Sequence, residues 1–129
     1  MMSALQAVIQ TIRHLKKQER FLHKQIEPIL SEARRSNDGS LAEKDFAKIN
    51  RYYGLAVPAI LGEAFAALHK RSLSAAERAC LTAQGAMTGL FDDFFDDRYL
   101  SDQSIEGILN QQQAETVKST EALFLLFFR

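Results

Sequence analysis

Apolar residues recur at steps of three and four along the first part of the chain. The members of this stripe are Leu5, Val8, Ile12, Leu15, Leu22, Ile26 and Ile29. Such spacing is typical of one face of a long helix, here interrupted where Glu19 falls on the stripe. No segment alternates apolar and polar residues long enough to predict a strand, and the two prolines and six glycines supply little turn chemistry for a sheet. The sequence therefore predicts an all-α fold, a bundle of about five helices in one domain over residues 1–129.

Prolines and glycines divide this helical pattern. Pro28 predicts a kink in the first helix or a new turn, because proline lacks the amide hydrogen that a helix interior uses. The Ser36–Gly39 segment, with Asn37 and Asp38, predicts the one clear loop. Gly54 and Pro58 predict a kink in the second helix.

Two serines, each followed three residues later by a glutamate, predict helix starts. In such a capping box, each side chain binds the backbone amide of the other residue. Ser40 with Glu43 predicts the start of the second helix, and Ser74 with Glu77 predicts a third helix from near Ala75 toward Asp97. A short helix over about 102–109 and a last one from about 113 complete the predicted order.

The last predicted helix is apolar on every side. It ends in Leu123–Arg129, with no residue that typically stops a helix. A helix that is apolar all round is a buried one. We therefore expect either a partner subunit that covers it or a longer protein of which this chain is the front part, and we favour the second.

The charge balance excludes some partners. Sixteen basic and sixteen acidic residues give zero formal net charge and a pI near 6.8, whereas nucleic-acid and membrane-surface binders usually present a basic face. Cys80 is the single cysteine, so no disulfide framework is expected. The longest apolar run, Ala122–Phe128, is far short of the roughly 20 residues that span a bilayer. We expect a cytoplasmic protein without nucleic-acid binding or stable membrane insertion.

Four aspartates, Asp92, Asp93, Asp96 and Asp97, fall within six residues near the end of the predicted third helix. On a helix, carboxylates four residues apart lie one above the other and repel each other. The C-terminal end of a helix is already partly negative, and aspartate is a poor helix former. Several local rules broken together are typical of a functional site.

A hard divalent cation would offset this repulsion. Magnesium usually takes one or two carboxylates from a protein and completes its octahedron with water and phosphate oxygens. The cluster therefore predicts Mg²⁺ as cofactor, held against a diphosphate. The structural alternative is a solvated acidic helix end that only terminates the element.

These residues resemble the first metal motif, DDxxD, of the class I isoprenoid synthase superfamily, which includes trans-prenyltransferases, terpene synthases and squalene/phytoene synthases. Asp92-Asp93-Phe94-Phe95-Asp96 matches the motif letter for letter. The Tyr52–Pro58 segment is similar in general character to that fold's N-terminal half. So is the helix before the motif, which is rich in small residues, namely Ala79, Ala83, Gly85, Ala86 and Gly89.

The resemblance implies Mg²⁺-dependent ionisation of an allylic prenyl diphosphate, by a transferase or lyase. It implies Asp92 and Asp96 as metal ligands, with Asp93 and Asp97 as alternates or supporting residues. The residues that would contact the substrate are Met87, Thr88, Gly89, Phe95 and Arg98. For Arg98 a stabilising cation at a helix end is an equal alternative, and for Phe95 and the glycines helix packing is the structural alternative.

The chain departs from the family pattern in one respect. The family needs a second metal motif on a later helix, and the acidic residues after Asp97 are isolated. We expect the chain alone to be incomplete for catalysis, as the N-terminal part of a longer catalytic domain or as one wall of a homodimeric site. The alternative function is a non-catalytic helical interaction module.

Overall fold

The computed structural model describes residues 1–96, Glu106 and residues 119–128, without the side chains of residues 93–96. Every regular element in these ranges is helical, which confirms the predicted all-α bundle. The elements in chain order are α1 (Ala4–Phe21), a π-helical turn (Leu22–Ile26), α2 (Glu27–Arg35), α3 (Glu43–Ala47), a second π-helical segment (Lys48–Tyr53), α4 (Gly54–Ala56), a third π-helical segment (Val57–Gly62), α5 (Glu63–Leu68), α6 (Ala75–Asp96) and α7 (Ser119–Phe128). The predicted helix over 102–109 lies outside the described residues, except that Glu106 is helical.

The predicted breaks at the two prolines appear as widened helical turns. Pro28 lies in the first turn of α2, directly after the π-helical turn Leu22–Ile26. Residues 4–35 are helical without interruption, so the widened turn accommodates a residue that lacks an amide hydrogen inside a continuous helix. Pro58 lies likewise at the start of the π-helical segment Val57–Gly62.

The capping box at the start of α6 is confirmed. The Glu77 amide donates to the Ser74 hydroxyl at 3.2 Å, and the Ser74 amide donates to Glu77 Oε2 at 2.9 Å. Arg71 adds a two-pronged contact to the same carboxylate, with nitrogen–oxygen distances of 2.8 and 2.6 Å. These bonds fix the residue at which α6 begins. The helix register then fixes which face each later residue of α6 lies on.

The predicted capping box of Ser40 is wrong. The helix begins at Glu43, after Ala42, and the Ala42 amide donates to the Asp45 carboxylate at 2.7 Å. The Ser40 hydroxyl instead accepts the Thr120 amide at 3.1 Å, at the beginning of α7. The Ser40 hydroxyl thus bonds a residue distant in sequence, and not the helix start that the local pattern predicted.

The same loop holds the start of α7 through Asp38. The Ser40 amide donates to Asp38 Oδ1 at 2.9 Å, and the Ser119 amide donates to Oδ2 at 3.0 Å. Hydrogen bonds from Ser40, and then from the Ser119 backbone, hold the pKa of the Asp38 carboxyl well below its usual range. A carboxylate at a helix N-terminus also complements the helix dipole.

The core lies between α2, the helical run over 43–56, α6 and α7. Its buried members are Leu22, Ile26, Leu30, Leu41, Phe46, Ile49, Ala86, Leu90, Leu123 and Phe124. On α7 only one side is covered, because Leu126 and Phe128 remain 55% and 46% exposed. The described chain therefore leaves part of this apolar helix uncovered, and whether a partner subunit or further chain covers it stays a prediction. No helix in the described ranges is long and apolar enough to cross a bilayer.

The first apolar stripe divides into two parts. Leu22 and Ile26 join the core, whereas Leu5, Val8 and Ile12 on the same stripe are exposed. The polar residue that enters the interior is Gln18, which is fully buried, and Glu19 is exposed.

The contacts of Glu77 predict a specific pH dependence of stability. Bonds from Arg71 and then from Ser74 lower the pKa of the Glu77 carboxyl from 4.5 to about 2. Its contribution to stability is therefore complete above pH 4.5 and is lost as the pH falls toward 2. In urea unfolding across this range, we expect Glu77→Gln to lose less stability on acidification than the unaltered protein. Parallel stability curves for the two proteins would contradict the assignment.

Candidate functional site

The aspartate cluster lies at the C-terminal end of α6, as predicted. The helix continues through Asp96, so Asp92, Asp93 and Asp96 belong to one uninterrupted element. Asp92 is exposed, and the side chains of Asp93, Phe95 and Asp96 are outside the description. Asp97 and Arg98 lie outside the described residues altogether.

Helix register relates these positions to the buried face of α6. Gly89 and Leu90 are buried, and position 93 follows them by four and three residues. Position 96 follows Gly89 by seven residues. Because positions three, four and seven apart share a helix face, positions 93 and 96 continue the core-facing side, whereas position 92 lies beside it.

The predicted substrate-contacting residues before the motif lie in different surroundings. Met87 is half-buried and packs against the core, whereas Thr88 is exposed and its hydroxyl donates to the Gln84 carbonyl oxygen at 2.9 Å. A Cβ atom on Gly89 would lie 2.9 Å from the Tyr53 ring and 3.3 Å from Lys48 Cβ. The room beside Gly89 is therefore filled by this chain, in agreement with the packing alternative.

Aromatic packing surrounds the last described part of α6. Phe91, directly before the motif, stacks on Phe124 of α7 with ring centroids 5.7 Å apart, and Phe124 stacks on Phe128 at 6.1 Å. Phe91 is half-buried and packs against the core. The end of α6 that carries the aspartates is thus held against α7 by apolar contacts.

Most of the predicted metal ligands are residues whose side chains the structure does not describe. Among the side chains that the structure describes, no three of the His, Cys, Asp and Glu type are grouped to hold a metal ion. Asp93, Asp96 and Asp97 are not among these described side chains. The donor set itself, carboxylate oxygens one helical turn apart, fits a hard divalent cation.

A buried polar network that the sequence pattern did not predict lies near the beginning of α6. Gln18 donates through Nε2 to the Gly54 carbonyl oxygen and to the Thr82 hydroxyl, each at 2.8 Å. Arg78 donates to Gln18 Oε1 at 2.8 Å and to the Glu63 carboxylate. The network therefore joins α1, α4, α5 and α6 through side chains that are almost completely buried.

The Glu63 carboxylate is the charged centre of this network. Besides Arg78, it accepts the Leu73 amide at 3.3 Å, and His14 Nδ1 lies 3.7 Å from Oε1. Burial by itself raises the pKa of Glu63, but the Leu73 amide and the Arg78 guanidinium outweigh burial and lower it. Glu63 is therefore a carboxylate, paired and only 3% exposed.

This network lies far from the aspartates. Fourteen residues separate Arg78 from Asp92 on α6, which corresponds to about 21 Å along the helix axis. Each bonding group of Gln18 and Thr82 is used within the protein. The network accordingly fixes how the helices pack. Its sequence signal was a glutamine between Leu15 and Leu22 on an otherwise apolar stripe.

An open apolar groove of about 590 Å³ lies between α2 and α7. Its lining is Pro28, Ile29, Glu32, Ala33, Ser36, Ser119, Ala122, Leu123 and Leu126. The volume is in the range of small-molecule pockets. None of the predicted site residues is among these lining residues.

Comparisons with known proteins identify no relative of this chain. No family model matches the chain, and no curated protein or solved structure matches it significantly. The isoprenoid synthase resemblance therefore rests on the motif and its position in the fold.

Proposed function

We propose that the aspartate end of α6 binds magnesium and the diphosphate of an allylic prenyl substrate, as one wall of a class I isoprenoid-synthase-type site. The observation that carries the proposal is the helix register. Positions 93 and 96 continue the face on which Gly89 and Leu90 are buried. A purely solvated acidic helix end does not explain why two aspartate positions continue the buried face of the helix, where desolvation of a charge is costly.

In the proposed site the aspartates have the role of oxygen ligands. Asp92 and Asp96 are the ligands that the motif assigns, with Asp93 and Asp97 beside them. Bound magnesium supplies Lewis-acid stabilisation of the leaving diphosphate. Phe91, directly before the motif, packs on Phe124 and so makes one side of the proposed site apolar. Apolar surroundings strengthen the attraction between carboxylates and a cation.

The test is calorimetric titration of farnesyl diphosphate with and without magnesium. We expect binding that requires the metal and weakens at least tenfold in Asp92→Asn/Asp96→Asn, because two ligand charges are lost, about 1.4 kcal/mol or more. Glu19→Gln/Glu43→Gln removes the same charge from two exposed helical positions and should bind like the unaltered protein.

Equal binding by the unaltered protein and the aspartate variant would contradict the proposal. It would favour the alternative, a non-catalytic helical module. Weakening of the same size in the glutamate control would assign the effect to overall charge and not to the motif.

A further inference from the structure

The first three turns of α1 extend beyond the body of the protein. Among residues 1–13, only Ala7 is not exposed. The helix meets the body at His14 and Leu15, which are half-buried, and at the buried Gln18. We call residues 3–13 the α1 arm. An isolated helix shorter than about 12 residues is marginal in water, so a surface that covers the arm would stabilise it.

The arm presents an apolar face to solvent. Leu5, Val8, Ile9 and Ile12 are 70%, 55%, 41% and 46% exposed. Their spacing of three and four residues places them on one side of the helix. Large apolar side chains grouped on one exposed helix face are typical of an interaction surface.

Basic residues continue this face toward the body. Arg13 follows Ile9 by four residues, Lys16 follows Ile12 by four, and Arg20 follows Lys16 by four. With Lys17, α1 carries four exposed basic residues and one acidic residue, Glu19. None of the four basic side chains forms an ion pair within the described chain. The net charge of the whole sequence is zero, but α1 is locally positive.

This combination favours one kind of occupant. A second α1 arm would bring like charges together, because residues 3–18 contain no acidic residue that could pair with them. An anionic lipid surface offers acyl chains to the apolar side chains and negative headgroups to the basic ones, which reach outward on long aliphatic stems.

We propose that the α1 arm docks on the surface of an anionic lipid bilayer. Leu5, Val8 and Ile12 enter the boundary between headgroups and acyl chains, and Lys16 and Arg20 contact the headgroups. The arm lies in the plane of the surface, since its length of about 15 Å is half the thickness of the hydrocarbon layer. The proposal does not depend on the function of the aspartates.

The test is co-sedimentation of the full chain with two kinds of vesicle, phosphatidylcholine alone and phosphatidylcholine mixed with phosphatidylglycerol. We expect binding to the mixed vesicles at least tenfold tighter than to the neutral ones. Lys16→Gln/Arg20→Gln should bind the mixed vesicles about thirtyfold more weakly, since each basic residue near such a surface contributes about 1 kcal/mol. High salt should weaken binding in the same direction.

Variants of apolar residues distinguish binding through the α1 arm from nonspecific hydrophobic binding. Leu5→Ser/Val8→Ser should reduce binding about a hundredfold, because two apolar side chains no longer enter the interface. The matched control is Leu126→Ser/Phe128→Ser, which removes two similarly exposed apolar side chains from α7 and should leave binding unchanged. Urea unfolding verifies that all variants retain the folded body.

Several outcomes would overturn the proposal. These are absence of binding to either vesicle, equal binding to neutral and anionic vesicles, and equal loss in the α7 control. A dimer seen by light scattering that dissociates in Leu5→Ser/Val8→Ser would assign the face to a second copy of the chain.

Discussion

Replacing Arg78 with methionine should destabilise the protein by about 3–5 kcal/mol, because it leaves a carboxylate buried without its partner. Glu63 and Arg78 are 3% and 4% exposed and bonded to each other. Within the described residues, Glu63 would keep only the Leu73 amide and the more distant His14. Glu63→Leu should cost a similar amount, since it strands the guanidinium. Urea unfolding at neutral pH measures both values.

The double variant Glu63→Leu/Arg78→Met is the decisive control. It removes both charges and fills the space with apolar side chains, so it should be more stable than either single variant. If the two single losses simply add in the double variant, the ion pair does not carry the stability that the geometry indicates.

Replacing Gly85 with alanine should be the second large effect, a loss of about 2 kcal/mol or more. A Cβ at this position would lie 2.6 Å from the Tyr53 carbonyl oxygen and 2.9 Å from its carbon. Those atoms are backbone and cannot rotate away. Alanine favours a helix over glycine by about 1 kcal/mol, so the steric cost must exceed that gain.

Two controls test this explanation. The close contacts of a Cβ at Gly62 are the side-chain ends of Leu81 and Leu73, at 2.6 and 2.9 Å, and the nearest backbone atom beyond the adjoining helical turn is at an ordinary 3.5 Å. Because side-chain ends can move, Gly62→Ala should cost less than Gly85→Ala. Gln84→Ala, at an exposed position of the same helix, should change stability by less than about 0.5 kcal/mol. A stabilised Gly85→Ala protein would mean that α6 and the Tyr53 segment are free to separate.

The helix starts predicted at Ser74 and at Ser40 show when local sequence is sufficient to predict a cap and when it is not. Both serines precede a glutamate by three residues, yet only Ser74 caps its helix. Ser40 binds Thr120, eighty positions later in the chain. A hydroxyl bonds whichever partner the fold brings to it, and no local pattern contains a partner so distant in sequence.

The candidate site likewise has one part that local sequence predicts, and the protein has a buried network that it does not. Periodicity and the capping box were sufficient to predict that α6 runs to the aspartates with its C-terminal end there. The buried network was not predictable, because Gln18 must bond Gly54, Thr82 and Arg78 together, and nothing local relates these positions.

The sequence by itself determined the helical class, the Ser36–Gly39 loop, the start of α6 and the spacing of its aspartates. Each of these depends on interactions within a few residues. Only the tertiary structure decided which apolar faces are covered. Leu22 and Ile26 belong to the same buried cluster as residues of α6 and α7, while Leu5, Val8 and Ile12 on the same stripe are exposed. Burial is decided by which elements lie opposite, and periodicity along one helix cannot specify that.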